Sequence, residues 1–159
     1  SQVQARKVLG TISKPLKSSA QRKKPKLAPF SIEIPEGWAI QTDSRRYFRL
    51  LQLQPDRSFE LRKSWIVPKT PAQVEQGLQG GMRFLDLKEA PSRTQTADMT
   101  AGKLNIGHLH YKTGILKDGG QVLFGLFVTR NHSYLTISTS KTSSPAELAL
   151  KILQSVRFT

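Results

Sequence analysis

His108 and His110 stand two residues apart in a segment that alternates like a strand, so both imidazoles point to one face. Neutral imidazoles at that spacing chelate a metal when a neighbouring strand brings further ligands. The chain has no cysteine, and no dense Asp/Glu cluster accompanies the pair, so no metal is expected there and ordinary hydrogen bonds are. His132 falls in an Asn131-His132 turn and is expected to be solvated. Ser, His and Asp all occur, but no Gly-x-Ser-x-Gly elbow presents a nucleophile. Gly77-Leu-Gln-Gly-Gly81 lacks a strand feeding into it and a Lys-Ser/Thr after it, which argues against a phosphate loop. Asp118-Gly119-Gly120 is turn chemistry, and Glu33 and Glu36 are solvated charges beside another turn. These readings leave no catalytic residue and no cofactor site, so the expectation is a protein that is not an enzyme.

Positive charge is the remaining chemistry. The formal charge is +14, and the first 29 residues hold +8 of it with no acidic residue. Arg6, Lys7, Lys14, Lys17, Arg22, Lys23, Lys24 and Lys26 supply it. Such a one-signed segment either meets an acidic surface or stays solvated. A second basic group comprises Arg45, Arg46 and Arg49, with Arg57, Arg62 and Lys63 on the following hairpin and Tyr47 and Phe48 interleaved. Arg45, Tyr47 and Arg49 alternate to one face and join the arm residues as candidate partner-binding residues. Basic residues mixed with aromatics also suit phosphates and stacked bases, and the plainer reading is a solvated outer sheet face.

The elements that must carry these groups follow from periodicity. Residues 1–29 read as a basic arm, and 30–159 as one domain large enough for a single core. In the arm, Val8, Ile12 and Leu16 are spaced by four, but Pro15 interrupts a helix and Pro25 and Pro29 favour extended chain. The arm is expected to be dispensable for folding. Phe30-Ser-Ile-Glu-Ile34 alternates as a strand, and Pro35-Glu-Gly-Trp38 turns into an aromatic anchor. Strands are expected at 48–54 and 59–67 around Pro55-Asp56-Arg57-Ser58, with Trp65 buried like Trp38. Thr70-Pro-Ala-Gln73 starts a helix by capping-box logic, with Val74, Leu78 and Met82 as its buried stripe and Gly80-Gly81 as its end or kink. Residues 86–102 read as a loop with one short edge strand. A three-strand meander follows at 104–116, 121–129 and 134–140, tightened by Lys117-Asp-Gly-Gly120. Its middle strand is apolar on both faces, the mark of a central strand covered on both sides. Ser144-Pro-Ala-Glu147 launches a second helix. The sum is an α+β fold: an antiparallel sheet of about six strands flanked by helices in an α/β/α sandwich. No apolar run approaches the ~18 residues that span a bilayer as a helix.

Three of these segments resemble the PsbP-like superfamily, which includes PsbP, Ran-binding Mog and DcrB-type domains. Phe30-Ser-Ile-Glu-Ile-Pro-Glu-Gly-Trp38 is similar to the family's opening strand and Pro-x-Gly-Trp turn. The meander from Leu104 to Ser140 is similar to its central hairpins. The ending Ile152-Leu-Gln-Ser-Val-Arg-Phe158 is similar to its closing helix and Ser-x-x-Phe tail. The likeness covers about residues 30–159. It implies a six-stranded antiparallel sheet between helices, no catalysis and an accessory, assembly or adaptor role; it carries no catalytic residues over.

The expectation is therefore a non-enzymatic accessory or adaptor protein that docks on an acidic protein assembly or membrane-associated complex. The basic arm would steer and the folded domain would select. An extracytoplasmic location (periplasm, cell envelope or thylakoid lumen) is expected, with a cytoplasmic one open. The rival is a nucleic-acid-binding protein using the arm and the Arg45–Lys63 hairpin. Oligomeric state is left open.

Overall fold

Period-two alternation organises most of the chain into antiparallel strands in a computed structural model that describes residues 21–54 and 56–158. The strands are β1 Gln21–Lys23, β2 Phe30–Ile34, β3 Ala39–Asp43, β4 Tyr47–Gln52, β5 Arg57–Ser64, β6 Gln95–Ala101, β7 Leu104–Ile115, β8 Gln121–Val128, β9 Ser133–Ser140 and β10 Arg157–Phe158. The helices are α1 Pro71–Met82 and α2 Pro145–Gln154. A seven-stranded sheet runs β3-β4-β5-β9-β8-β7-β6, and a small sheet runs β1-β2-β10. The architecture is α+β, an antiparallel sheet flanked by helices. The main sheet has one strand more than the six expected. The short edge strand expected within residues 86–102 is β6, which pairs along β7 through seven residues because cross-strand pairing stabilises this polar stretch more than its own propensity does.

β8 divides its side chains between two cores, as its doubly apolar sequence requires. Leu123 and Phe127 enter the inner core with Phe48, Leu50, Phe59, Leu61 and Tyr134. β2 and α2 close this side, contributing Phe30, Ile32, Ile34, Ala149, Ile152 and Leu153. Phe30 meets Tyr134 edge-on at 5.3 Å between ring centroids. Each such fully buried large side chain contributes about 1.5–3 kcal/mol by leaving water. Phe124 and Leu126 point the other way, under Val74 and Leu78 of α1.

α1 begins where the sequence places it. The Gln73 amide donates to Thr70 Oγ1 at 3.2 Å, and Gln73 Oε1 accepts from the Lys69 amide at 2.6 Å. The helix ends at Met82, one residue past Gly80-Gly81. Its glycines also serve close approach: a Cβ on Gly81 would sit 1.8 Å from Phe124 Cζ, and one on Gly77 would sit 2.8 Å from a Leu126 methyl. Ser144 precedes α2 with Pro145 at its first position, but its side chain makes no cap bond.

Two further expectations change. The domain begins before residue 30: β1 pairs with β2, and Leu27 and Ala28 are buried in the inner core. Residues 21–28 thus belong to the folded unit; Val8, Ile12 and Leu16 lie outside the described residues. Trp65 is 81% exposed, because β5 ends at Ser64 and its alternation stops there. Trp38 is buried, as its place after the turn predicts.

Candidate docking face

The β4–β5 hairpin sets Tyr47 opposite Arg62 and Arg49 opposite Glu60, so all four share the outer sheet face. Glu60 is the hub. Its side chain is only 10% exposed. Tyr47 Oη donates to Glu60 Oε1 at 2.6 Å, and Arg62 Nε donates to Oε2 at 2.8 Å. Arg49 Nε stands 4.0 Å from Oε1, is enclosed, and makes no hydrogen bond among the described residues. The Arg62 guanidinium lies over the Tyr47 ring, 4.8 Å from its centroid. Burial raises the Tyr47 pKa, and donation to the Glu60 carboxylate raises it further, against the pull of Arg49 and Arg62. Partial burial opposes the Arg62 cation, but Glu60 outweighs it, and the net shift is upward. The phenol stays protonated and the guanidinium charged at neutral pH. This network fixes two cations on a sheet face.

The basic residues singled out in the sequence part company here. Tyr47 and Arg49 belong to the face. Arg45 does not share their strand alternation; it sits with Arg46 in the bend before β4, exposed. Arg22 is structural: it donates to Ser31 Oγ at 3.0 Å and to the Ser155 carbonyl at 2.9 Å, and meets Glu33 at 3.4 Å. Lys23 pairs with Asp43 at 3.3 Å. The side chains of Lys24 and Lys26 are exposed, while the Lys26 amide donates to Asp43 Oδ1. Arg6, Lys7, Lys14 and Lys17 lie outside the described residues. Arg22 and Lys23 thus pin β1 to the domain through partners far along the chain. Arg62 is in the basic group named from the sequence but not among the partner-binding candidates, and Glu60 is not singled out there; acid and base two apart on a polar strand face are the available signal.

His108 and His110 also share the outer face, at its β7–β6 end. His108 Nδ1 lies 2.7 Å from Asp98 Oδ1, and His110 Nδ1 lies 2.9 Å from Thr96 Oγ1, each across the β6–β7 pair. Burial and then the nearby His108 lower the His110 pKa. No group of three His, Cys, Asp or Glu among the described residues is placed to hold a metal ion. His132 is half-buried rather than solvated: its carbonyl accepts from the Thr129 amide at 2.9 Å, and its ring stands 6.3 Å from Tyr134.

No protein-family model matches this chain, and no curated protein matches it. A crystal structure from Bacteroides thetaiotaomicron VPI-5482 is similar in fold. It shares 12% sequence identity at a TM-score of 0.54, over 89% of this chain and 49% of that one. The chain thus spans about half the length of that protein, and the likeness is one of fold alone. No helix among the described residues is long and apolar enough to cross a membrane.

Proposed function

We propose that this chain is a non-enzymatic accessory or adaptor domain of the PsbP-like kind that docks on an acidic protein assembly in an extracytoplasmic compartment. One observation carries the reading: Arg49 and Arg62 are held on an outer sheet face by Glu60 and Tyr47, with Arg45 and Arg46 exposed at its end. Ordering of the cations before binding lowers the entropy lost on docking. The net charge of +14 adds a long-range field that speeds encounter with acidic surfaces. The nucleic-acid reading draws on the same cations, but it asks for a free stacking ring. Arg62 already occupies one face of Tyr47, and a carboxylate sits at the centre of the cluster.

Chemical cross-linking of the full chain in its native host, with and without nuclease, tests the choice. Cross-links to one protein assembly, unchanged by nuclease and lost in Arg49→Ala/Arg62→Ala, are expected. Loss of all captured material on nuclease treatment would overturn the docking reading in favour of nucleic acid.

A further inference from the structure

Antiparallel pairing fixes which turns share an end of the main sheet. The β3–β4 bend carries Arg45 and Arg46, β5 closes on Lys63 and Ser64, the β8–β9 turn carries Arg130, and the β6–β7 turn carries Lys103. All lie at one end. The Lys63 amide donates to the Arg46 carbonyl at 3.2 Å, and Ser64 pairs with Ser133 at the start of β9. Arg130 and Leu104 line one hollow, which sets the other two turns side by side. These five cations are exposed and make no ion pair among the described residues. The carboxylates at this end, Asp43 and Asp98, face Lys23 and His108. Beside Lys63 the chain leaves the sheet with Trp65 81% exposed and Ile66 72% exposed, and Ser64 Oγ braces it by donating to the Ile66 carbonyl at 3.1 Å. Single exposed apolar side chains are ordinary; two large ones in succession beside unpaired cations mark a contact surface. The opposite end of the sheet differs. There Lys117 meets Asp86 at 3.2 Å, and Lys141 meets Asp56 at 3.9 Å.

We infer that this end of the sheet docks on a bilayer surface bearing anionic phosphate headgroups, with Trp65 and Ile66 seated at the boundary between headgroups and acyl chains. The inference goes beyond the docking reading above: it uses the sheet end where that reading uses the face, and Arg45 and Arg46 at the border are common to both. Chemistry selects lipid. A tryptophan suits the bilayer interface, where its ring is buried and its N–H stays wet. Cations beside it gain from the negative potential of an anionic leaflet. The state of the cations separates this surface from a protein interface. Arg62 is held by Glu60 and Tyr47, a fixed geometry that suits a fixed partner. The side chains of Arg45, Arg46, Lys63, Lys103 and Arg130 make no such bonds among the described residues. They stay free to reach headgroups, and a fluid headgroup layer asks for no fixed geometry. Lysine is depleted in protein–protein interfaces, and Lys63 is the cation nearest Trp65 in the chain. A nucleic acid would meet the cations but gain nothing from Ile66. A second copy of this chain would set like charges against each other.

The test uses the full chain with vesicles of phosphatidylcholine alone and of phosphatidylcholine mixed with phosphatidylglycerol. Co-sedimentation is expected with the mixed vesicles, falling as salt screens it, and much less with phosphatidylcholine alone. Lipid brominated on its acyl chains is expected to quench Trp65 emission. Trp65→Phe keeps an apolar side chain and should still bind, while its remaining emission, from buried Trp38, stays unquenched. Trp65→Ser with Ile66→Ser should lower the partition coefficient about tenfold or more. Lys63→Gln with Arg130→Gln should lower it by about fivefold per cation. Lys117→Gln with Lys141→Gln lies at the far end of strands such as the eight-residue β5, roughly 25 Å away and beyond the ~8 Å screening length, and should leave binding unchanged. All of these positions are exposed, so the fold should persist. No vesicle binding, equal binding to both vesicle types, or salt-sensitive binding without quenching of Trp65 would overturn the inference while leaving the docking reading in place. Vesicle binding lost in Arg49→Ala/Arg62→Ala but kept in Lys63→Gln/Arg130→Gln would move the contact to the sheet face and overturn it as well. Failure of the docking reading has a different mark: cross-links in the native host vanish on nuclease treatment, while the purified chain still binds the mixed vesicles.

Discussion

The two faces of the main sheet are built from the same strands by opposite rules. The inner face is closed by β2 and α2 over aromatic side chains, several of them wholly excluded from solvent. The outer face has a small core of Val74, Leu78, Phe124 and Leu126, and beside it a stretch of half-buried leucine and isoleucine among ordered charges. Stability therefore resides mainly on the inner side, and the outer side is where the proposed docking would act. Substitutions should separate the two: large losses of stability inside, small ones outside with effects on binding.

The sharpest separation comes from the two tryptophans. Trp38 is 2% exposed and packs in the inner core, so Trp38→Ala should destabilise by about 3–5 kcal/mol in urea unfolding. Trp65→Ala should change stability by less than about 0.5 kcal/mol, as surface substitutions do. A loss above 2 kcal/mol at Trp65, on the order of a core effect, would show that the indole packs on the domain despite its exposure beyond β5.

The glycines of α1 give the next effect, with a change of sign within one dipeptide. Gly81→Ala drives a methyl into Phe124 and should cost about 1–3 kcal/mol, since the helix must lift from the sheet. Gly80→Ala meets nothing and should stabilise by up to about 1 kcal/mol through helix propensity. Equal effects of the two would mean that α1 does not press on Phe124.

The inner face also holds two buried hydroxyls without a partner among the described residues, those of Tyr134 and Thr136. Tyr134 is fully buried, its hydroxyl has no partner among the described residues, and burial pushes its pKa up to about 12. Tyr134→Phe should stabilise by about 1 kcal/mol by removing an unpaired donor. Destabilisation in thermal unfolding would show that the hydroxyl is bonded.

Much of the fold was legible because the relevant signals are local. Alternation located β2, β4, β5 and the meander, Thr70 and Gln73 located the start of α1, and the two-faced run from Val122 to Val128 located the central strand. Non-local pairing was not legible. The expected edge strand takes its bounds at β6 from β7 beside it, and Arg22 is structural because Ser155, 133 positions later, supplies its acceptor. The site was legible in part for the same reason. Tyr47 and Arg49 followed from alternation, whereas the role of Glu60 required knowing that β4 and β5 pair in that register.

The smallest expected effect lies at the β7–β6 end of the outer face. Burial and then His108 depress the His110 pKa below its ordinary 6.5. Lys69 and Glu75 line the same hollow as His110, Thr96 bonds its Nδ1, and the His108 ring stands beside it. In the unfolded chain His110 takes up its proton near 6.5, while in the folded chain it resists until lower pH. The unfolded state therefore binds more protons in that window, and stability falls as pH drops through 6.5 toward the folded value. His110 is partly exposed, so solvent screening limits the change to roughly half a kcal/mol or less. Urea midpoints measured between pH ~7.5 and ~5.5 should fall for the unmodified chain and flatten in His110→Gln, within the range where histidine titrates. Glu75 separates itself from this window, because donation from Thr94, and then Lys112, lower its pKa and move its contribution to more acidic conditions. If His110→Gln leaves the slope between those pH values unchanged, the ring is more solvated than its packing against β6 and α1 implies, and the outer face is open at this end as well.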